Sequence, residues 1–155
     1  MADAPTPLRT LLVDDEPLAR QRLTRQLAPF FEAGRLVLEG EAEDGVDALD
    51  AVADAQDAGI PIDVLFLDIQ MPGLDGFAVV ERLAPPRPQV VFVTAHDDRA
   101  VEAFRASAVD YLLKPVEADR LAETVARVEA RAADRTSEEA RPSVSARDAY
   151  LDRVA

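Results

Sequence analysis

Cysteine is absent from the chain, which excludes disulfides and thiolate metal ligands and leaves oxygen-based chemistry for any site. Two further residue types are nearly absent: Lys114 is the only lysine among 17 Lys and Arg, and His96 is the only histidine. Positive charge as a whole is scarce. Against those 17 stand 30 Asp and Glu, for a formal net charge of −13. Such a surplus repels a phosphate backbone at long range, so this chain by itself is a poor nucleic-acid binder and its partners should be proteins or cations. No apolar run approaches the roughly 20 residues of a membrane span. The N-terminus shows no basic, apolar leader pattern. The expectation is a cytoplasmic chain with no membrane contact.

The 155 residues, 48% of them apolar, suffice for one domain with a real core and a short extension. The most informative stretch is Val64-Leu65-Phe66-Leu67-Asp68, which Ile69-Gln70-Met71-Pro72-Gly73 follows. Four apolar residues run into an aspartate and then a turn. That pattern reads as a buried parallel strand delivering Asp68 to its C-terminal end, where the ligand crevices of open α/β sheets lie. An aspartate before a turn is also an ordinary strand stop. Leu11-Leu12-Val13-Asp14-Asp15-Glu16 repeats the pattern, however, so two strand ends carry acid toward one shared pocket. Lys114 is telling for the same reason: a chain that otherwise uses arginine keeps one compact point charge on a slim stem.

Taken in order, the first strand lies near Arg9–Val13, after a loose terminus at residues 1–7. Pro17 opens a helix with Leu23, Leu27, Phe30 and Phe31 on one face. Leu36, Leu38, Gly40 and Ala42 alternate with Val37, Glu39, Glu41 and Glu43, the period-2 pattern of a half-exposed edge strand. Asp44 caps a second helix carrying Val46, Leu49, Val52 and Ala53, and Gly59 and Pro61 stop it. Asp75 caps a short third helix with Phe77, Val80 and Leu83 inward. Val90–Val93 is the fourth strand. Asp97 or Asp98 caps a fourth helix with Val101 and Phe104, and Tyr111-Leu112-Leu113 forms the fifth strand. From Glu117 a fifth helix presents Leu121, Val125, Val128 and Ala132. Five alternations of strand and helix imply an α/β fold with a parallel sheet covered on both faces, though they do not give the strand order.

Three carboxylates in one pocket cannot all stay ionised cheaply, since two unit charges about 4 Å apart repel by about 4 kcal/mol at an effective dielectric near 20. Either a proton or a cation must enter. An all-oxygen site favours a hard ion, and Mg²⁺ suits one that keeps several waters.

Asp14-Asp15, Asp68 with Met71-Pro72-Gly73, Thr94-Ala95 and Lys114-Pro115 stand in the order and spacing of response-regulator receiver domains, which residues 8–133 resemble. Val93-Thr94-Ala95-His96-Asp97 and Ala108-Val109-Asp110-Tyr111-Leu112-Leu113-Lys114-Pro115 are most similar to the receivers of LytTR-type transcription regulators. The resemblance implies a flavodoxin-like doubly wound (βα)5 fold with sheet order 2-1-3-4-5, which makes the first and third strands neighbours. It further implies that Asp68 accepts a phosphoryl group from a sensor histidine kinase and that Asp15, Asp68 and the Gln70 carbonyl hold Mg²⁺, with Asp14 acting through a water. Lys114, behind a cis Lys114-Pro115 bond, and Thr94 would contact the phosphoryl oxygens, and Tyr111 would be the switch aromatic. Gln70 and His96 would flank the path of the attacking water and set the phosphoryl lifetime. Glu16 receives no role.

A receiver of this kind is no enzyme beyond its own phosphorylation and dephosphorylation. Its expected outputs are a change of the face formed by the fourth helix, fifth strand and fifth helix, and self-association through that face. Residues 134–149 read as a linker, and Tyr150-Leu151-Asp152-Arg153-Val154-Ala155 resembles the start of a LytTR-type DNA-binding domain cut short, through which alone DNA would be contacted. Two other readings compete. A phosphorylation-independent interaction module of this fold usually lacks an acid, the Thr or the Lys. A Mg²⁺-dependent small-molecule phosphatase usually has a second acid two residues after its nucleophile, where Gln70 stands.

Overall fold

The computed structural model describes residues 6–95 and 107–139, with side chains through Arg135. Its elements are β1 (Leu8–Val13), α1 (Pro17–Glu32), β2 (Leu36–Ala42), α2 (Gly45–Asp57), β3 (Val64–Leu67), α3 (Gly76–Arg82), β4 (Gln89–Thr94), β5 (Asp110–Leu113) and α4 (Ala118–Glu139), the last being the helix counted fifth in the sequence. His96 and the helix expected from Asp97 or Asp98 lie outside the described residues, as does everything after Glu139.

The five strands form one parallel sheet in the order β2-β1-β3-β4-β5. β1 and β3 pair directly, with Leu11 opposite Leu65, Leu12 opposite Phe66 and Val13 opposite Leu67. Because successive side chains point to opposite faces of a strand, the apolar runs feed two separate cores. Leu11, Val13, Leu65, Leu67 and Phe92 pack with Val52 of α2 and with Val79 and Val80 of α3. Leu12, Phe66, Val91, Val93 and Leu112 pack with Leu23 and Leu27 of α1 and with Leu121, Val125 and Val128 of α4. All four residues of β3 are buried, which is why that segment shows no polar alternation. β2, at the edge, does alternate and buries only its two end residues.

The caps act where expected. The Asp44 carboxylate accepts from the Asp47 N–H at 2.8 Å and that of Asp75 from the Ala78 N–H at 2.9 Å. Two expectations need correction. Val46 is 57% exposed and Ala53 is also exposed; α2 instead buries Gly45, Ala48 and Val52. The reason is close packing against α3, since a Cβ on Gly45 would stand 2.7 Å from Leu74 Cβ and 2.9 Å from Val79 Cγ2. Small residues, not the most apolar ones, mark the contact. The linker expected from residue 134 is also displaced, because α4 continues to Glu139. Neither proline nor glycine interrupts the chain there, and adding a residue to an existing helix needs no new nucleus.

Candidate functional site

Asp14, Asp68 and Lys114 each follow directly on a strand, and ladder hydrogen bonds fix all three. The Asp14 N–H donates to the Ala42 carbonyl at 3.1 Å, the Asp68 N–H to the Val13 carbonyl at 2.9 Å, and the Lys114 N–H to the Thr94 carbonyl at 2.8 Å. Since all strands run the same way, these residues share the C-terminal edge of the sheet. The order reverses between β1 and β3, and the crevice opens there.

Within the crevice Lys114 Nζ stands 2.6 Å from Asp14 Oδ2 and 3.5 Å from Asp68 Oδ2. The other Asp14 oxygen accepts from the Glu16 N–H at 2.9 Å. Asp14 and Asp68 are each only 7% exposed, whereas Asp15 is more open. Burial pushes the Asp68 carboxyl up to about 6, and the neighbouring Asp14 charge adds to this; Lys114 and the Gln70 N–H hold it down. Lys114 is raised above its ordinary value: burial opposes its charge, but hydrogen bonds and attraction from Asp14 and Asp68 outweigh that.

Carboxylate oxygens of Asp14, Asp15 and Asp68 lie within 4.8 Å of one another. With all groups ionised, three carboxylates and one ammonium leave two negative charges, which a divalent cation balances. The donors are oxygen only, the set that Mg²⁺ takes. A second acidic group, Glu43, Asp44 and Asp47, is accounted for by the capping of α2.

Thr94, the last residue of β4, is fully buried. Tyr111 on β5 lies opposite Phe92 of β4 and packs, partly buried, against the core on the α2 and α3 side. The Lys114-Pro115 bond is cis. Gln70 is exposed beyond Asp68. Thus Asp14, Asp15, Asp68 and Lys114 converge, with Thr94 bonded through its carbonyl to the Lys114 backbone.

Three features had no signal in the sequence. Gly76 lies under the site, where a Cβ would come within 2.7 Å of the Asp68 carbonyl oxygen. Arg20 of α1 donates to the Asp14 carbonyl at 2.5 Å. Asp110, beside Tyr111, accepts from Thr124 Oγ1 at 2.7 Å, from Arg127 at 3.0 Å and from both terminal nitrogens of Arg120. Burial opposes the Asp110 charge, yet Arg120, Thr124 and the Tyr111 N–H outweigh it and bring its carboxyl down to about 2. A cavity of about 320 Å³ with mostly apolar walls runs between α1 and the segment after β5, bordered by Asp14, Arg20, Lys114 and Val116. It shares Asp14 and Lys114 with the acidic crevice.

Comparison with known proteins agrees with this geometry. The family model described as "Response regulator receiver domain" matches residues 10–126. The positive alginate biosynthesis regulatory protein of Pseudomonas aeruginosa is 46% identical over 120 residues, covering 76% of this chain and 46% of that protein. The transcriptional regulatory protein BtsR of Escherichia coli K12 is 43% identical over 122 residues, covering 78% of this chain and 48% of that protein. The chain therefore spans about half the length of these curated relatives. Among solved structures, the REC domain of AraT, a response regulator from Geobacillus stearothermophilus, superposes with a TM-score of 0.70 at 31% identity, covering 83% of this chain and 98% of that one.

Proposed function

The chain belongs to the response regulator receiver family, and from that premise we propose that it accepts a phosphoryl group from a partner histidine kinase on Asp68. The observation that carries this reading is the triangle of two buried acids, Asp14 and Asp68, and the half-buried Lys114, whose Nζ stands 2.6 Å and 3.5 Å from them. Asp15, Asp68 and the Gln70 main-chain carbonyl would hold Mg²⁺, with Asp14 reaching it through a water. When bound, the ion would neutralise the phosphoryl oxygens and help to orient them.

A carboxylate oxygen of Asp68 attacks phosphorus in line as the bond to the donor's leaving group breaks. The leaving group departs with that electron pair and Asp68 becomes an acyl phosphate. Lys114 lies where negative charge gathers on the transferred group, and its raised pKa keeps it an ammonium. Thr94 then donates its hydroxyl to a phosphoryl oxygen, and Tyr111 on the adjoining strand turns toward the space that this leaves. Gln70 and His96 govern hydrolysis of the product.

The output proposed is transcription control in the cytoplasm, through a LytTR-type DNA-binding domain outside this chain. Two relatives, named as regulatory proteins of alginate biosynthesis and of transcription, support it. Phosphorylation would also favour a homodimer through β5, α4 and the segment between β4 and β5. Arg120 and Arg127 already pair with Asp110 inside the chain, so part of the charge on that face is engaged internally.

Intact mass after incubation with acetyl phosphate tests the reading. A gain of one phosphoryl group is expected with Mg²⁺, and none with chelator or in Asp68→Asn. No gain from any small-molecule donor would favour a phosphorylation-independent interaction module.

A further inference from the structure

Asp14 is held at both ends, and its second anchor is a residue that the phosphorylation chemistry does not use. The Asp14 N–H makes the last ladder bond of β1 toward β2. Its carbonyl lies past that ladder and accepts from Arg20 Nη1 at 2.5 Å. Arg20 sits in the first turns of α1, and its side chain is only 16% exposed. Its Nε stands 3.3 Å from Glu41 Oε1 on β2, within ion-pair range but without hydrogen-bond alignment. One guanidinium thus ties α1, the end of β1 and the edge strand together. Only a planar fork spans two acceptors in this way; an ammonium is a single point.

The carbonyl in question belongs to the peptide that joins Asp14 to Asp15. That peptide is planar, so holding its oxygen fixes the rotation about its ends and with it the direction in which Asp15 leaves the strand. Asp15 is the least buried of the three acids and, among the described contacts, has no hydrogen-bond partner of its own to orient its carboxylate.

Resting on the proposed Mg²⁺-dependent function, we infer that Arg20 is a positioning residue, which sets the Asp14–Asp15 peptide so that Asp15 faces the cation. It touches neither ion nor phosphoryl group. Electrostatics and geometry make opposite forecasts here. As a nearby positive charge, Arg20 repels a cation, so its removal should tighten Mg²⁺ binding. As the holder of the peptide, its removal should weaken binding, by about tenfold if it acts like other residues that orient metal ligands.

Calorimetric Mg²⁺ titration of the whole chain decides between them, with metal-free thermal unfolding measured alongside. Arg20→Met is expected to raise the Kd about tenfold, and Arg20→Lys, which keeps a donor for the carbonyl, to recover part of the loss. Arg22→Met removes the same charge from the exposed side of α1 and is expected to leave the Kd unchanged or slightly lower. An Arg20→Met protein that binds Mg²⁺ as wild type does, or more tightly, overturns the inference and leaves the functional reading intact. Should Arg20→Met fail to fold, Arg20→Lys decides alone: a Kd raised severalfold above that of wild type supports the role, and wild-type affinity opposes it. Wild type that binds no Mg²⁺ overturns the functional reading itself, and this inference with it.

Discussion

Asp68 is a carboxylate that the fold would rather keep protonated. Its pKa rises from 3.8 to about 6 in the native state, so the folded chain holds this proton more tightly than the unfolded chain. The resulting stabilisation is complete below the unfolded value and is lost as pH rises through about 6. At neutral pH an ionised Asp68 therefore costs about 3 kcal/mol, at about 1.4 kcal/mol per unit. Asp68→Asn, measured by urea denaturation in chelator, should be more stable than wild type by about 1–3 kcal/mol at pH 7.5. The difference should vanish near pH 4, and equal stabilities at both pH values would contradict the assigned environment. At this scale the sequence was legible wherever a residue ends a strand: Asp14, Asp68, Thr94 and Lys114 are marked by the apolar runs before them. Arg20, Gly76 and Asp110 were not, because their partners stand on other elements and no local pattern announces them.

Between elements, the Asp110 network fastens β5 to α4 beside Tyr111. Its carboxyl falls from 3.8 to about 2, so the sign is opposite to that of Asp68. The stabilisation is present above the unfolded pKa and disappears as pH falls through about 2; its size is roughly 2 kcal/mol. Asp110→Asn should therefore cost about 2 kcal/mol or somewhat more at pH 7, because Arg120 and Arg127 lose their buried partner. Little of that cost should remain near pH 2, which denaturant titrations at the two pH values would reveal; a pH-independent difference would point to packing instead. Element types and strand order followed from the alternation together with the receiver resemblance. The inward face of α2 did not, because hydrophobicity favoured Val46 while close helix packing required Gly45 and Ala48. The end of α4 was misjudged for a related reason: polar residues read as linker, yet a helix already begun carries them.

For the whole molecule, the charge of −13 opposes long-range attraction to a phosphate backbone, and the chain spans about half the length of the curated relatives it matches. If phosphorylation drives self-association, sedimentation velocity with Mg²⁺ and beryllofluoride should show a dimer that the untreated protein lacks at the same concentration. A monomer under both conditions would remove that part of the proposal. The central claim is narrower: a single carboxylate, Asp68, carries the phosphoryl group. Borohydride reduces an acyl phosphate to an alcohol and so converts a phosphorylated aspartate to homoserine. After acetyl phosphate, Mg²⁺ and borohydride, peptide sequencing by mass spectrometry should find homoserine at position 68 and at no other acidic position. Homoserine at 14 or 15, or its absence from a protein that has gained phosphoryl mass, would contradict the assignment.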